Sequence, residues 1–202
     1  MKAFIAIPLP PEGRELVAAL GENFDHHSPF AAFRRVPPAK VHLTLRFLGE
    51  IPGNSAASEA PGSLPAMLSE SCAGTGAIPF PVERLGAFPR PGSPSVIWAG
   101  PRACPTPLAV LVGRLSSALD GADHPPEARP FRPHLTLARR SRRARPSRGD
   151  RPPKNLAAAL REAEAALLDP PPLLRMTEAV LFKSDLRPEG AVHTPLFRVS
   201  LA

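Results

Sequence analysis

The sequence predicts a mixed fold of α-helices and β-strands that is built from two related halves. Short apolar runs of strand character alternate along the 202 residues with longer stretches of helical periodicity. The tetrapeptide His-Leu-Thr-Leu also occurs twice, at residues 42–45 and at 134–137. A helix is predicted before each copy, and a second helix and two strands are predicted after it. Together these observations indicate an internal duplication.

The first half opens with a strand and a helix. The strand is predicted at residues 2–8, where an apolar run ends in prolines, and the helix at 11–23, where apolar residues recur at helical spacing. Two further strands are predicted at 32–36 and 41–48, on either side of a two-proline turn. A second helix is predicted at 55–71, although the prolines and glycine within it oppose that interpretation.

The second half begins with a predicted hairpin. Its strands cover residues 78–85 and 95–99, and the segment 88–92 between them is rich in turn-forming residues. A helix is predicted at 108–119, because apolar residues recur there at i, i+3, i+4 and i+7. The strand that carries the second tetrapeptide is predicted at 131–138.

The chain closes with a helix and two strands. The helix is predicted at 156–168 from an Ala-rich amphipathic pattern, and the strands at 175–183 and 195–201. We therefore expect a single domain over residues 1–202, made of two intertwined, pseudo-symmetric lobes.

Positive charge is concentrated in one stretch of the sequence. The formal net charge is +7, and residues 139–154 contain eight Arg or Lys and one Asp, so this stretch accounts for the whole excess. We expect it to form a basic, flexible loop. Such a loop can attract a polyanion through counterion release. A solvated loop without a specific partner is an equally open interpretation.

The composition disfavours membrane proteins, exported proteins and metalloproteins. No apolar run approaches the roughly 20 residues that a membrane-spanning helix needs, and prolines interrupt the apolar run near the N-terminus. Cys72 and Cys104 form no zinc-binding pattern, and neither tetrapeptide contains Asp or Glu. We therefore expect a cytoplasmic monomer with no membrane association and no metal or other cofactor.

Each tetrapeptide supplies a histidine that could act on a phosphodiester. If the two halves face each other across a cleft, His42 and His134 flank one ligand. Opening a phosphodiester with water needs a base that takes a proton from water and an acid that protonates the departing alkoxide. Imidazole can do either near neutral pH, because its unperturbed pKa is about 6.5. A lone strand histidine is more often structural, but packing does not require His and Thr at the same spacing twice.

Hydroxyl and guanidinium groups are expected beside these histidines. Because side chains alternate along a strand, Thr44 and Arg46 should share the face of the first histidine, and Thr136 and Arg132 that of the second. The hydroxyls can donate hydrogen bonds to the non-bridging phosphate oxygens, and either arginine can add a charge-assisted one. A solvated strand face or a carboxylate partner explains the two arginines about as well.

The motifs and their flanking segments resemble the two-histidine (2H) phosphoesterase superfamily. Within it, the sequence is similar to the LigT-like RNA 2′,3′-cyclic phosphodiesterases of bacteria and archaea. The resemblance extends along nearly the whole chain, through the segments 4–7, 36–50, 86–91, 129–139 and 181–186. Two positions depart from the family pattern, since Arg35 stands where relatives commonly have Trp and His193 where they often have Tyr.

This resemblance implies a bilobal α+β fold with pseudo-two-fold symmetry, an antiparallel sheet in each lobe lining a central cleft, and helices outside. It implies hydrolysis, without metal, of an RNA or nucleotide 2′,3′-cyclic phosphate to a 2′-phosphomonoester. His42 would be the proton donor and His134 the proton acceptor, with Thr44 and Thr136 holding the phosphate. Two alternatives stay open. One is a 2′-5′ RNA ligase that joins cyclic phosphate and 5′-hydroxyl ends, and the other is a non-catalytic RNA-binding module.

Overall fold

The computed structural model contains ten β-strands and four α-helices among the residues that it describes, which are 1–25, 30, 32–55, 58–89, 94–122, 124, 126–140, 156–165, 167, 170–187 and 190–201. The strands are β1 (Lys2–Pro8), β2 (Phe33–Arg35), β3 (His42–Glu50), β4 (Ile78–Pro81), β5 (Arg84–Phe88), β6 (Val96–Gly100), β7 (Leu135–Arg140), β8 (Leu173–Met176), β9 (Glu178–Arg187) and β10 (Gly190–Ser200). The helices are α1 (Pro11–Asp25), α2 (Leu64–Cys72), α3 (Thr106–Asp120) and α4 (Leu156–Ala165), and a 3-10 helix covers Pro38–Lys40. Apart from Arg139 and Arg140, the predicted basic loop at 139–154 lies outside the described residues.

Several element boundaries differ from the predicted ones. The predicted strand at 78–85 is two strands, because β4 pairs with β8 in a separate two-stranded sheet while β5 pairs with β6. The predicted strand at 175–183 divides at Thr177 into β8 and β9 for the same reason. Helix α2 begins later than predicted, because the Ser63 hydroxyl accepts a hydrogen bond from the Ala66 amide at 3.3 Å and caps the helix there.

The main sheet joins the two motif strands. Its order is β10-β9-β1-β3-β7-β6-β5, with β2 also paired to β7. All its described pairings are antiparallel. Strands β3 and β7 meet through one pair, Leu43 and Leu135, called here the junction pair. The predicted mixed, antiparallel fold is therefore confirmed, with the sheets of the two lobes continuous at this pair. Each side of the junction uses strands from distant parts of the chain.

Helices cover the sheet face opposite to the motif histidines. On α3, Leu108, Leu111, Leu115 and Leu119 are fully buried, as the predicted i, i+3, i+4 and i+7 spacing requires. The junction pair is buried beneath this layer. The other face of the sheet is left for the polar residues of the motifs. Among the described helices, none is both long enough and apolar enough to span a membrane.

Candidate active site

The histidines and threonines of both motifs share one face of the sheet. Because they flank the junction pair, its register sets His42 opposite Thr136 and Thr44 opposite His134. The histidines are thus diagonal neighbours across the junction, a relation that separates such residues by about 7–8 Å and their Cβ atoms by somewhat less. A tetrahedral phosphate group fits between two imidazoles at that spacing. The structure therefore brings together four of the six residues that the sequence predicted for the site, namely the two histidines and the two threonines.

A β-bulge follows the threonine of the first motif and changes what comes after it. Thr44 pairs with Ala6 of β1, but Arg46 pairs with the adjacent Ile5, so Leu45 is an extra residue. The bulge reverses the alternation of faces. Arg46 consequently points to the helix side of the sheet, where its guanidinium donates a 2.7 Å hydrogen bond to Asp120 of α3.

The predicted position of Arg46 in the polar row is therefore wrong. Its side chain is buried, forms an ion pair with Asp120 and contacts the Ser116 hydroxyl at 3.4 Å. The prediction assumed a regular strand, and the bulge at Leu45 removes that assumption. Arg46 therefore links α3 to the helix-covered face of the sheet through this ion pair, and it does not face the histidines.

The second motif contains the same bulge, which brings an unpredicted arginine to the site. Thr136 pairs with Trp98 of β6 and Ala138 with Ile97, so the intervening Leu137 is an extra residue. Arg139 then returns to the face of the histidine. In β3, the bulge at Leu45 likewise returns Phe47, five residues after His42, to the face that carries the histidines. Each motif thus supplies a third side chain five residues after its histidine.

Arg139 lies close enough to act electrostatically on three imidazoles. Its charge lowers the pKa of His42, of His134 and of His193. Packing around its guanidinium in turn lowers the pKa of Arg139 itself below the ordinary value, although part of the side chain is exposed. Arg139 is therefore the guanidinium that the geometry offers to a phosphate between the motif histidines.

Arg132 has a different place from the one that strand alternation predicts. Strand β7 begins at Leu135, so the residues before it do not alternate as strand residues. The Arg132 side chain is exposed, and its carbonyl oxygen accepts a hydrogen bond from Nδ1 of His134 at 2.7 Å. Its backbone orients the histidine, and phosphate binding by its guanidinium stays a prediction.

The first histidine is held by its backbone neighbour and by aromatic rings. Nδ1 of His42 donates to the Lys40 carbonyl at 2.8 Å, and because a carbonyl can only accept, Nδ1 carries the proton of the neutral ring. Nε2 is then the unprotonated nitrogen. The ring packs against Phe4, with centroids 5.0 Å apart, and meets His193 edge-on at 5.4 Å.

The second histidine is held in the same way by other partners. Its bond to the Arg132 carbonyl fixes the same tautomer, which leaves Nε2 unprotonated. Phe88 meets the His134 ring edge-on at a centroid distance of 4.9 Å, and Trp98 stacks on Phe88 at 5.3 Å. The indole of Trp98 fits because Gly86 lies beneath it, where a Cβ atom would come within 2.3 Å of the ring.

Burial keeps both motif imidazoles neutral near pH 7. It is the main reason why the pKa of His42 is lowered to about 4, and nearby His193, Arg139 and His134 lower it further. The hydrogen bond to the Lys40 carbonyl acts in the opposite direction. For His134, burial is again the main cause of a lowered pKa. Both Nε2 atoms are therefore available as proton acceptors in the free protein.

His193, which the sequence marks only as a departure from the family pattern, is a further residue at the site. It lies on β10, which reaches the site through pairing with β9, and its ring contacts Phe4 at 4.9 Å in addition to His42. Its buried Nδ1 has no hydrogen-bond partner among the described residues, and the same holds for the indole nitrogen of Trp98. The departure from the family pattern at 193 was the sequence signal that could have identified it.

The site chemistry consists of imidazole, hydroxyl and guanidinium groups. Within the part of the chain that the structure describes, no three His, Cys, Asp or Glu residues lie close enough together to hold a metal ion. The donor set suits an anion with oxygen atoms.

Comparison with known proteins identifies the family of this chain. The model of the family "LigT like Phosphoesterase" matches residues 7–98 and 100–193, and each stretch contains one tetrapeptide. The RNA 2′,3′-cyclic phosphodiesterase of Thermus thermophilus is 32% identical over all of this chain and 90% of its own length. The enzyme of that name from Escherichia coli is 30% identical over 99% of this chain and 96% of its own.

Solved structures agree with this result. A crystal structure of a Thermus thermophilus protein superposes with a TM-score of 0.70 at 30% identity, covering 100% of this chain and 98% of its own. Escherichia coli LigT complexed with 3′-AMP superposes with a TM-score of 0.68 at 26% identity, covering 98% and 97%. The predicted resemblance and enzyme class are confirmed, and the chain belongs to the LigT-like phosphoesterase family.

Proposed function

We propose that this protein is an RNA 2′,3′-cyclic phosphodiesterase that hydrolyses the cyclic phosphate end to a 2′-phosphomonoester. The observation that carries the proposal is the pair His42 and His134, held in the same tautomer on one sheet face with both Nε2 atoms free to exchange protons. The relatives in Thermus thermophilus and Escherichia coli that bear this name support it, because each is matched over nearly its whole length.

The proposed reaction is an in-line displacement at phosphorus. His134 takes a proton from water, whose oxygen forms the new bond to phosphorus. The bond from phosphorus to the ribose 3′-oxygen breaks, and His42 donates a proton to that oxygen. The 2′-oxygen keeps the phosphate. The diagonal placement of the two rings across the junction suits this division, because the entering and leaving oxygens lie on opposite sides of phosphorus.

The non-bridging oxygens need donors that do not take part in proton transfer. Thr44 lies opposite His134, and Thr136 lies opposite His42. The two hydroxyls can therefore reach the same phosphate from two sides. Arg139 supplies a positive charge that already acts on both histidines. We assign the guanidinium role to Arg139 in place of Arg46.

Substrate binding supplies the proton that the acid needs. In the free protein, burial and three neighbouring groups hold the pKa of His42 near 4, so the ring is neutral at pH 7. A bound cyclic phosphate brings a negative charge between the imidazoles, which favours their protonated form and raises the pKa. His42 therefore gains its proton together with the substrate. This step needs no metal ion.

We further propose that the partner is RNA and that the protein acts as a cytoplasmic monomer. Both cysteines are free thiols, Cys72 buried and Cys104 exposed, as expected in a reducing compartment. The large apolar side chains that are exposed among the described residues lie on different elements, which supports a monomer. They are Phe47, Val110, Leu173 and Leu186.

Hydrolysis of a nucleoside 2′,3′-cyclic phosphate in EDTA, followed by phosphorus NMR, tests the proposal. We expect a 2′-phosphomonoester, and we expect His42→Ala and His134→Ala each to lower kcat by about 10² to 10⁴-fold, the usual contribution of a general acid or base. His124→Ala is the matched control, because His124 lies in a loop outside the site. Wild-type protein that binds RNA without turnover would establish the binding-module alternative instead.

A further inference from the structure

Two arginines stand side by side at the edge of the site. Arg34 of β2 pairs directly with Arg139 of β7, so both side chains project from the face that carries the histidines. Directly opposed residues of an antiparallel pair have Cβ atoms about 4.5–5.5 Å apart, and like charges in that position destabilise the sheet. Such an arrangement costs folding free energy unless an anion lies between or beside the two guanidinium groups.

The surrounding residues do not neutralise these charges. Among the described residues, neither Arg34 nor Arg139 forms an ion pair with a carboxylate. Lys40 is exposed nearby, with its ammonium group 3.1 Å from the Ala191 carbonyl, and its charge lowers the pKa of His193. In the part of the chain that the structure describes, the end of the site beside His42 is therefore cationic, with no acidic partner for these charges.

One cyclic phosphate leaves part of this charge unused. A 2′,3′-cyclic phosphate carries a single negative charge, and the threonine hydroxyls with Arg139 suffice to bind it. Arg34 lies on β2, which pairs with β7 directly beside Arg139, and Lys40 lies on the segment that leads into β3. Their two charges are therefore left for a second anion.

We propose that Arg34, together with Lys40, binds the phosphate on the 5′-oxygen of the nucleotide whose 2′,3′-cyclic phosphate is opened. This inference rests on the proposed function and names its substrate class: an RNA end with at least one further phosphate upstream. In an RNA chain that phosphate links the last nucleotide to its neighbour. In a mononucleotide it is a terminal 5′-phosphate, which offers the same oxygen atoms at the same place.

Three substrates distinguish an internucleotide phosphate from a terminal 5′-phosphate. They are adenosine 2′,3′-cyclic phosphate, the same compound with a 5′-phosphate, and a dinucleotide that ends in the cyclic phosphate. We expect kcat/KM for the second and third to exceed that for the first by about 5- to 20-fold, the effect of one charge-assisted contact. Arg34→Gln should abolish this gain through KM at unchanged kcat, because the contact is equal in ground and transition states. Arg34→Gln should leave the first substrate within about twofold.

Arg161→Gln on α4 is the matched control, since it removes one exposed arginine on the outside of the protein. Lys40→Gln provides a second variant at the subsite, with a smaller expected loss in the same direction. For the dinucleotide, Arg34→Gln should also reduce the slope of log affinity against log salt concentration by about 0.7, the value for one single-strand phosphate contact.

A binding experiment distinguishes failure of this inference from failure of the proposed function. Adenosine 3′,5′-bisphosphate should bind more tightly than adenosine 3′-monophosphate, and Arg34→Gln should remove the difference whether or not the protein hydrolyses anything. Equal turnover of all three substrates, unaffected by Arg34→Gln, would overturn the subsite while leaving the hydrolase intact. A gain for the dinucleotide alone would also contradict it, because the contact would then be with the upstream nucleoside.

Discussion

Replacing Gly86 with alanine should displace Trp98 and loosen the support of His134. An added Cβ would lie 2.3 Å from Cζ2 and 2.5 Å from Cε2 of the indole, well inside van der Waals contact. The ring must therefore tilt or leave the sheet face. Trp98 stacks on Phe88 at 5.3 Å, and Phe88 meets the His134 ring at 4.9 Å, so the displacement reaches the site through one intermediate ring.

Two contributions set the loss of folding stability expected for Gly86→Ala. Overpacking of a well-filled site costs about 1–3 kcal/mol, and the lost aromatic stack about 0.5–1.5 kcal/mol more. The free energy of unfolding should fall by about 2–4 kcal/mol for Gly86→Ala, which for a chain of this size lowers Tm by roughly 5–15 °C. Because Phe88, which meets the His134 ring edge-on, loses the indole that stacks on it, kcat should fall by about tenfold or more.

The assay is direct because Trp98 is the one tryptophan in the sequence. Its fluorescence should shift to the red in Gly86→Ala as the partly buried indole meets water. Gly113→Ala is the matched control: Gly113 lies in α3 with nothing within 4 Å of an added Cβ, so alanine should raise stability by about 0.5–1 kcal/mol. An unchanged emission spectrum together with an unchanged Tm in Gly86→Ala would refute the reasoning.

Three further predictions concern Asp120, Arg139 and the pH dependence. Asp120→Ala should lower the free energy of unfolding by about 2–4 kcal/mol, because it removes the ion-pair partner of buried Arg46, yet leave kcat/KM within twofold. Arg139→Met should reduce kcat/KM about 10- to 100-fold and slightly raise the stability to urea, because it removes the like charge opposite Arg34; a fully active Arg139→Met would remove its assigned role. The pKa values of both motif histidines are lowered in the free protein, so kcat/KM should be greatest below pH 6.5. The alkaline limb of the pH profile of kcat should lie at higher pH than that of kcat/KM, because bound phosphate raises these pKa values. Coincident alkaline limbs would contradict the coupling of histidine protonation to substrate binding.

The sequence predicted the centre of the site because the evidence for it is local. Alternation within a strand places each histidine on the same face as the threonine two residues later, and the repeated tetrapeptide identifies both histidines together. The prediction for Arg46 was wrong because a β-bulge has no reliable sequence signature, and one extra residue reverses the faces of the side chains directly after it. His193 was missed for a different reason, since its approach to His42 depends on the pairing of strands far apart in the chain.

Once the bulge in the first motif is known from the structure, comparison of the two motifs identifies Arg139 in the second. Equivalent bulges make Phe47 and Arg139 equivalent positions, five residues after each histidine, so a side chain assigned to the site in one motif predicts its counterpart in the other. An internal duplication therefore carries positional information beyond the repeated tetrapeptide.

The two motifs hold their histidines in the same way, so any difference in proton affinity between His42 and His134 must come from the surrounding residues. Backbone carbonyls two residues upstream fix the same tautomer in both. The Arg139 charge acts on both histidines, but His42 also has His193 and His134 as electrostatic neighbours and a pKa of about 4, whereas Phe88 borders His134. Beyond the effect of burial, the proton affinity of His42 therefore depends on whether an anion offsets the positive charge around it. An acid with this property is charged when phosphate is bound and neutral otherwise, which favours His42 as the proton donor and couples its protonation to substrate binding.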